Sequence, residues 1–398
     1  MKFSRRITPI APSATLAITN GAKQLRAEGK DVVGFGAGEP DFDTPSFIVD
    51  AMIAAAREGQ TRYGAVAGMP DLRQAVAEMF TGLYDVPFSS QQTLVSVGGK
   101  QALYNLFQVL VDPGDEVIIP TPYWVSYSAQ VQLAEGAPVL VPSPADNGFQ
   151  IDVDAIEAAV TDRTVGLVLN SPNNPTGAVQ SPEVLRALGD LAERHDLWVI
   201  TDDIYSELRY DGGAYASILR ERPDLRDRII VVHGASKTYA MTGWRIGFVG
   251  AQEALVKKLS TLAGQSTSNP TAFAQYGALA AVQSDGSFLT EWRSAYDARR
   301  RRIVDLLNDI DGISCHLPGG AFYVFPDVRG LLGTRLGSTP IDSSMALCQA
   351  LLEHALVACV PGEPFGAPGF MRLSYACSME DIEKGLGRIA ELASRLER

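Results

Sequence analysis

A lysine and an arginine stand eight residues apart in a segment that carries no other charge. Residues 234–247 read Gly-Ala-Ser-Lys-Thr-Tyr-Ala-Met-Thr-Gly-Trp-Arg-Ile-Gly, so Lys237 and Arg245 lie among small and apolar residues. A lysine must lose its proton before it attacks a carbonyl carbon, and apolar or cationic surroundings favour that loss. An arginine suits the binding of a phosphate. The spacing therefore predicts an imine-forming lysine beside an arginine that binds an anion.

A second anion site is predicted at Gly98, Gly99 and Lys100, which follow an apolar run and open a helical pattern. Backbone N–H groups at a helix start point at an anion, with the helix dipole behind them. A glycine pair of this kind is also typical of an ordinary tight turn. Lys100 favours the anion site, because a lysine in the first helical turn opposes the dipole at a cost of roughly a few tenths of a kcal/mol.

Polar side chains follow two further apolar runs. Asn174 lies in residues 170–177, whose two prolines, one glycine and three asparagines predict a fixed turn, and Asp202 follows the run 198–201. A rigidly held amide can donate a hydrogen bond to a phenolate oxygen without adding charge. A carboxylate at a strand end can hold a cationic ring nitrogen. The alternatives are an asparagine-rich turn and a helix N-cap.

Together these segments resemble the class I aminotransferases, fold-type I enzymes that use pyridoxal 5′-phosphate (PLP). Residues 234–247 fit the lysine signature of that family at every fixed position. The resemblance covers essentially the entire chain and is closest to the prokaryote-type aspartate aminotransferase group. It implies that Lys237 binds the cofactor covalently, then removes the substrate Cα proton as a base and returns it at C4′ of the cofactor as an acid.

The resemblance also implies the contacts around the cofactor ring. Asp202 would keep the pyridine nitrogen protonated, so that the ring draws electrons from the substrate Cα. Asn174 and Tyr205 would contact the 3′-oxygen, while Asp203, where most relatives carry Glu, has no assigned catalytic role. Trp124 resembles the ring that stacks on the cofactor, and a plain core tryptophan is the alternative.

The cofactor phosphate is assigned by resemblance to the two anion sites. Gly98, Gly99, Lys100 and Arg245 would bind it within one chain. Tyr63, in the sequence Arg-Tyr-Gly, resembles the tyrosine that reaches the phosphate of a partner subunit. The resemblance therefore implies a homodimer with composite active sites.

Amino acids and 2-oxo acids are the substrates that the resemblance implies. The implied substrate contacts are Gly38, Trp124, Asn174, Arg372, Lys100 and Thr15. Arg372 lies on an alternating strand, where an inward arginine is costly unless it meets an anion bidentately, and it is assigned to the α-carboxylate. Residues 263–269 lack the arginine with which some relatives bind a distal carboxylate. Resemblance to the prokaryote-type group assigns that carboxylate to Lys100 and Thr15 instead.

The implied reaction is a ping-pong transamination of an acidic amino acid, L-aspartate with 2-oxoglutarate giving oxaloacetate and L-glutamate. Relatives that also accept prephenate often carry a basic residue before the proline that corresponds to Pro12. Ala11 stands there in this chain, so prephenate is a less favoured substrate. Other amino acids, and C–S lyase, decarboxylase or synthase chemistry on the same fold, are alternatives. Residues 34–38 superficially resemble a dinucleotide loop, but Glu39 and Pro40 break that pattern. A protein of this fold that binds ligands without catalysing a reaction would lack at least one of these chemical residues, and all of them are present.

Elements that position these side chains are evident in the pattern of apolar runs. The runs span residues 94–97, 116–119, 164–169, 198–201, 228–232 and 246–249. Helical patterns alternate with them, which predicts an α/β fold with a mostly parallel sheet covered by helices. Most side chains assigned above to the cofactor follow these strands directly, where ligands bind in open α/β sheets.

Three regions are predicted along the chain. Residues 1–45 form an arm and a helix that packs on the small domain, residues 46–290 form the large PLP-binding domain, and residues 291–398 form a smaller α/β domain. The last region opens with a charged helix and contains all four cysteines, whose spacing indicates neither a metal site nor a disulfide framework.

Composition limits the partners of the chain. The 398 residues carry a net charge of −12, which disfavours nucleic acid and anionic membranes. No apolar run reaches the roughly 20 residues that span a bilayer, and no apolar signal core follows the first residues. We therefore expect a cytoplasmic protein in which an anionic substrate meets a local cationic pocket.

Overall fold

The computed structural model describes residues 1–11, 14–210, 212 and 215–398, with the side chains of residues 14–17 and 19 outside that description. The strands are β1 Val33–Gly34, β2 Thr93–Ser96, β3 Glu116–Thr121, β4 Ala137–Pro142, β5 Thr164–Asn170, β6 Trp198–Asp202, β7 Ile229–Gly234, β8 Gly247–Gly250, β9 Tyr323–Val324, β10 Thr334–Leu336, β11 Thr339–Ile341, β12 Val357–Ala358, β13 Val360–Pro361 and β14 Met371–Ser374. The helices are α1 Ala14–Ala27, α2 Ser46–Arg57, α3 Pro70–Tyr84, α4 Gly99–Leu110, α5 Ser126–Leu133, α6 Val153–Ala158, α7 Pro182–Arg194, α8 Ile218–Glu221, α9 Ala235–Thr238, α10 Glu253–Gly264, α11 Ala272–Val282, α12 Phe288–Asn308, α13 Ser344–Ala350 and α14 Met379–Ser394.

Seven strands form the central sheet, in the order β2-β8-β7-β6-β5-β3-β4. Neighbouring strands from β7 to β4 are parallel, whereas β8 runs antiparallel to both β2 and β7. The carboxyl ends of β2, β3, β5, β6 and β7 consequently lie at one edge of the sheet, together with the start of β8. The predicted fold class, a mostly parallel sheet covered by helices, is confirmed.

The sheet is buried on both faces, which explains the continuous apolar runs of its inner strands. Alternate residues of β5 and β6 enter two different cores: Leu167 and Val199 pack on one face, and Val168 and Ile200 pack on the other. The covering helices are amphipathic. In α7 the buried residues are Leu185, Leu188, Gly189, Leu191 and Ala192, which recur at helical spacing.

Strand β4 has no counterpart among the predicted runs. Its sequence, Ala-Pro-Val-Leu-Val-Pro, contains two prolines and pairs with β3 alone, at the end of the sheet. Proline is tolerated at an edge strand because no partner there needs its missing N–H group. The exposed residues and prolines hide this strand from a pattern based on apolar runs.

A second layer of structure carries the strand with Arg372. There β14 lies between β13 and β9 in an antiparallel sheet, and its Ser374 N–H donates to the carbonyl of Phe35 at 2.7 Å. Helices α12 and α14 pack together against this sheet through a separate core. Near the amino terminus, β1 pairs with β12, and α1 lies against β12 and β13. Among the residues that the structure describes, no helix combines the length and apolar character needed to cross a bilayer.

Candidate active site

The candidate site lies at the edge of the sheet where the carboxyl ends of the parallel strands meet. Gly98 and Gly99 follow β2, Trp124 follows β3 and Asn174 follows β5. Asp202 is the last residue of β6, Lys237 lies in the short helix after β7, and Arg245 lies just before β8. Segments far apart in sequence meet here because parallel strands bring their carboxyl ends to one edge.

An open cleft of about 1030 Å³ collects most of the predicted site residues. Those that line it are Gly38, Gly99, Lys100, Trp124, Asn174, Asp202, Tyr205, Lys237, Arg245 and Arg372. Gly98 lies directly behind this lining, against Arg245. The predicted constellation is thus brought together, with four cationic side chains around one cavity in a chain of negative net charge.

Lys237 is half-buried on the floor of the cleft, where its Nζ donates a hydrogen bond of 2.5 Å to the carbonyl of Gly38. Burial lowers the pKa of Lys237 to about 8, and the positive charges of Arg245 and Arg372 act in the same direction. Glu39 and Asp202 oppose them. The amine therefore reaches its nucleophilic, neutral form near neutral pH more readily than a solvated lysine does.

The turn before α4 forms a close cradle with Arg245. Gly98 has φ +80°, and a Cβ on it would collide with the guanidinium of Arg245. A Cβ on Gly247 would likewise collide with the backbone of Gly98 and Gly99. Glycine is required at these positions for the backbone to approach the arginine, which leaves the first N–H groups of α4 beside a cation.

Asp202 is buried at the end of β6. The hydroxyl of Tyr127 donates to its Oδ2 at 2.6 Å, and the Nδ2 of Asn170 donates to its carbonyl at 2.7 Å. Burial raises the pKa of Asp202 to about 6, and the hydrogen bond from Tyr127 is the largest effect opposing that rise. A cation entering the cleft would stabilise the ionised carboxylate.

Arg372 is buried, and only some of its N–H groups have hydrogen-bond partners among the described residues. Its Nη1 donates to Oδ1 of Asn174 and its Nη2 donates to the carbonyl of Gly36, both at 2.9 Å. Its guanidinium lies 4.6 Å from the centroid of the Tyr323 ring. The Nε has no hydrogen-bond partner in the described part of the chain, and burial lowers the pKa of the group. Arg372 also lines the cleft, where its guanidinium suits an anionic ligand.

The remaining predicted residues differ in how they are placed. Lys100 holds its Nζ 4.9 Å from the centroid of the Trp124 ring, and its pKa is lowered by burial and by Arg245. Tyr205 bonds to the hydroxyl of Tyr323 at 2.9 Å. Tyr63 is 93% exposed and lies outside the cleft. The side chain of Thr15 lies outside the described residues.

Several lining residues were not predicted from the sequence. They are Gly36, Leu103, Tyr127, Asn170, Ile204, Ser236, Thr242 and Tyr323. Asn170 joins two loops, since its Oδ1 accepts from the N–H of Asn174 while its Nδ2 holds the carbonyl of Asp202. Asn170 could have been suggested by its place at the end of a strand. Tyr127 could have been suggested by its position three residues after Trp124 at a helix start, whereas nothing local marks Tyr323.

Comparison with known proteins agrees with this geometry. The model of the family described as aminotransferase class I and II matches residues 30–389. An aspartate aminotransferase of Geobacillus stearothermophilus is 45% identical over 98% of each chain, and an aspartate/prephenate aminotransferase of Nitrosomonas europaea is 46% identical over 99% of this chain and 100% of its own. The structure of aspartate aminotransferase from Thermus thermophilus with maleate is 41% identical, with a TM-score of 0.93 over 98% of this chain and 100% of that one.

Proposed function

The chain belongs to the class I and II aminotransferase family, and we propose that it transfers the amino group of L-aspartate to 2-oxoglutarate with PLP as cofactor. The products are oxaloacetate and L-glutamate. The observation that carries this proposal is the meeting of Lys237, Asp202 and Arg372 in one cleft, with Lys100 at its side.

The residues of the cleft fit the parts of PLP one by one. The cradle of Gly98, Gly99 and Arg245 suits a phosphate, because the absence of a Cβ at Gly98 lets the guanidinium lie against the turn that starts α4. The buried carboxylate of Asp202 suits a cationic pyridine nitrogen, and Trp124 offers a ring face. Asn174 and Tyr205 line the cleft between Asp202 and Arg372 and would contact the 3′-oxygen. When bound, PLP supplies an aldehyde that condenses with amines and a ring that accepts the electron pair released at Cα.

The proposed work of the protein follows from the positions of its side chains. Arg372 binds the α-carboxylate and, together with the backbone at Gly38, fixes the substrate Cα near Lys237. The Nζ of Lys237 would act as the base that removes the Cα proton and as the acid that returns it at C4′ of the cofactor. Asp202 keeps the pyridine nitrogen protonated, which stabilises the charge that develops when the proton leaves.

An acidic side chain is the substrate feature that Lys100 favours. Residues 263–269 supply no arginine, and Lys100 lines the cleft without a role in PLP attachment or in binding the α-carboxylate. The resemblance assigns Lys100 to the cofactor phosphate as well as to the distal carboxylate, and we propose that the second role sets the substrate preference. Both named relatives carry aspartate in their names, and the matched structure holds maleate, a dicarboxylate. One relative is also named for prephenate, which keeps that acid as a second candidate substrate, although Ala11 stands where a basic residue would favour it.

Lys100→Ala is expected to lower kcat/KM for aspartate and glutamate by about 10- to 100-fold, or about 1.4–2.8 kcal/mol. The reason is that the ammonium acts as a point charge on the distal carboxylate. Alanine and aromatic amino acids should change little. Steady-state kinetics with both substrate classes measure the difference. Equal losses for acidic and neutral substrates would instead place Lys100 at the phosphate.

We also propose a homodimer in which Tyr63 serves the partner's phosphate site, since its ring is exposed in the single chain and lies outside its own cleft. Mixing Tyr63→Ala and Lys237→Ala subunits should restore about a quarter of wild-type activity, because half of the dimers are then mixed and each has one intact site. Subunit exchange is verified by native mass spectrometry. No recovery after verified exchange would mean that Tyr63 acts within its own chain or has no role.

The function itself is tested by steady-state assay of aspartate and 2-oxoglutarate, with oxaloacetate as the measured product. Parallel double-reciprocal lines are expected, since oxaloacetate leaves before 2-oxoglutarate binds. A C–S lyase would instead release ammonia from a sulfur-containing amino acid and need no second substrate.

A further inference from the structure

Tyr127 touches two of the groups that are proposed to hold the cofactor ring. Its hydroxyl donates to Oδ2 of Asp202 at 2.6 Å, and its ring meets that of Trp124 edge to face, with centroids 5.4 Å apart and an interplanar angle of 83°. Tyr127 lies in the first turn of α5 and is only 2% exposed. Its neighbours therefore fix both its hydroxyl and its ring.

Asp202 needs such a partner because its surroundings disfavour charge. The adjacent Asp203 is a second buried carboxylate, and its charge adds to burial in raising the pKa of Asp202. Lys237 and the N–H of Ile204 favour the ionised form, but the hydroxyl of Tyr127 is the largest favourable contribution. Asp203 has donors of its own, from Thr201 at 2.6 Å and from Tyr84 at 2.9 Å. Hydrogen bonds from Tyr215 and Ser217 also favour ionised Asp203. The tyrosines that serve Asp203 thus differ from the one that serves Asp202.

We propose that Tyr127 is a positioning residue for PLP: its hydroxyl holds Asp202 ionised and oriented toward the pyridine nitrogen, and its ring holds Trp124 against the cofactor face. This rests on the proposed function, in which Asp202 meets that nitrogen. Tyr84 offers a matched control, since it is also fully buried and also donates to a carboxylate of the same strand end, but that carboxylate does not line the cleft.

The test compares Tyr127→Phe with Tyr84→Phe, each loaded with PLP that carries ¹⁵N in the pyridine ring. Tyr127→Phe should raise the dissociation constant of PLP by about 10-fold, because Asp202 without its hydroxyl donor is less readily ionised and would pair less strongly with the pyridine nitrogen. Its ¹⁵N chemical shift should move toward the unprotonated value at a lower pH than in the wild type. Tyr84→Phe should match the wild type in both measurements, even where its melting temperature falls.

A double-mutant cycle shows whether Tyr127 acts through Asp202. In an Asp202→Asn background, Tyr127→Phe should change the ¹⁵N shift no further, whereas a merely structural tyrosine would add its effect. Equal values in Tyr127→Phe, Tyr84→Phe and the wild type would overturn the proposal. If Tyr127→Phe does not fold, 3-fluorotyrosine at position 127 keeps the hydroxyl as a stronger donor, and unchanged PLP affinity and ¹⁵N titration would overturn it. Failure of the wild type to bind PLP would instead reject the proposed function.

Discussion

Lys237→Ala should abolish transamination, with a loss of about 10⁴-fold or more, because one amine serves as anchor, base and acid. The other cations of the cleft offer no substitute: Lys100 stands over Trp124, and guanidinium groups do not lose a proton near neutral pH. Initial rates with aspartate measure the loss. Borohydride reduction followed by mass spectrometry should find the cofactor attached to the wild type and none attached to the variant.

The control for this prediction is Lys257→Ala. Lys257 lies on the exposed face of α10, where it pairs with Glu253 at 2.7 Å, and its loss should leave turnover and cofactor attachment unchanged. Circular dichroism establishes that both variants fold. Retained turnover in folded Lys237→Ala would remove the lysine from its assigned role.

Asp202→Asn is expected to cut kcat by about 10²-fold or more while leaving the fold nearly intact. The amide keeps the shape of the side chain, but it carries no charge, so the pyridine nitrogen is free to lose its proton. Stopped-flow measurement of the first half-reaction with aspartate isolates this step from product release.

The variant Asp203→Asn shows what the loss of a buried carboxylate does when that carboxylate has no role in catalysis. Asp203 is buried like Asp202, but its hydroxyl partners are Tyr84 and Thr201, so its replacement should lower the melting temperature more than kcat. A nearly wild-type rate for Asp202→Asn, or equal rate losses for the two variants, would reduce Asp202 to a structural residue.

Much of the site could be predicted because its residues follow strands whose apolar runs are plain in the sequence. One edge of the sheet holds Lys237, Asp202, Asn174 and the glycine pair, as the α/β pattern requires. The direction of β8 could not be predicted, since an apolar run carries no information about its neighbours. Edge strand β4 was missed because prolines and exposed residues interrupt it.

Contacts between segments that are distant in sequence could not be predicted either. The bond from Arg372 to Asn174 joins residues 198 positions apart, and that from Tyr127 to Asp202 joins residues 75 apart. No local pattern encodes such a pairing, which depends on how two layers of the fold pack together. The division into residues 1–45, 46–290 and 291–398 stays a prediction, as do the roles of all the predicted site residues, Tyr63 and Thr15 included.

The most direct test of the account is a single turnover of the PLP-loaded enzyme with aspartate and no oxo acid. We expect one equivalent of oxaloacetate per subunit, no ammonia, and cofactor recovered in its amine form after acid denaturation. Alanine and aromatic amino acids should react more slowly. Release of ammonia, or recovery of unchanged PLP with no oxaloacetate formed, would contradict transamination of aspartate by this chain.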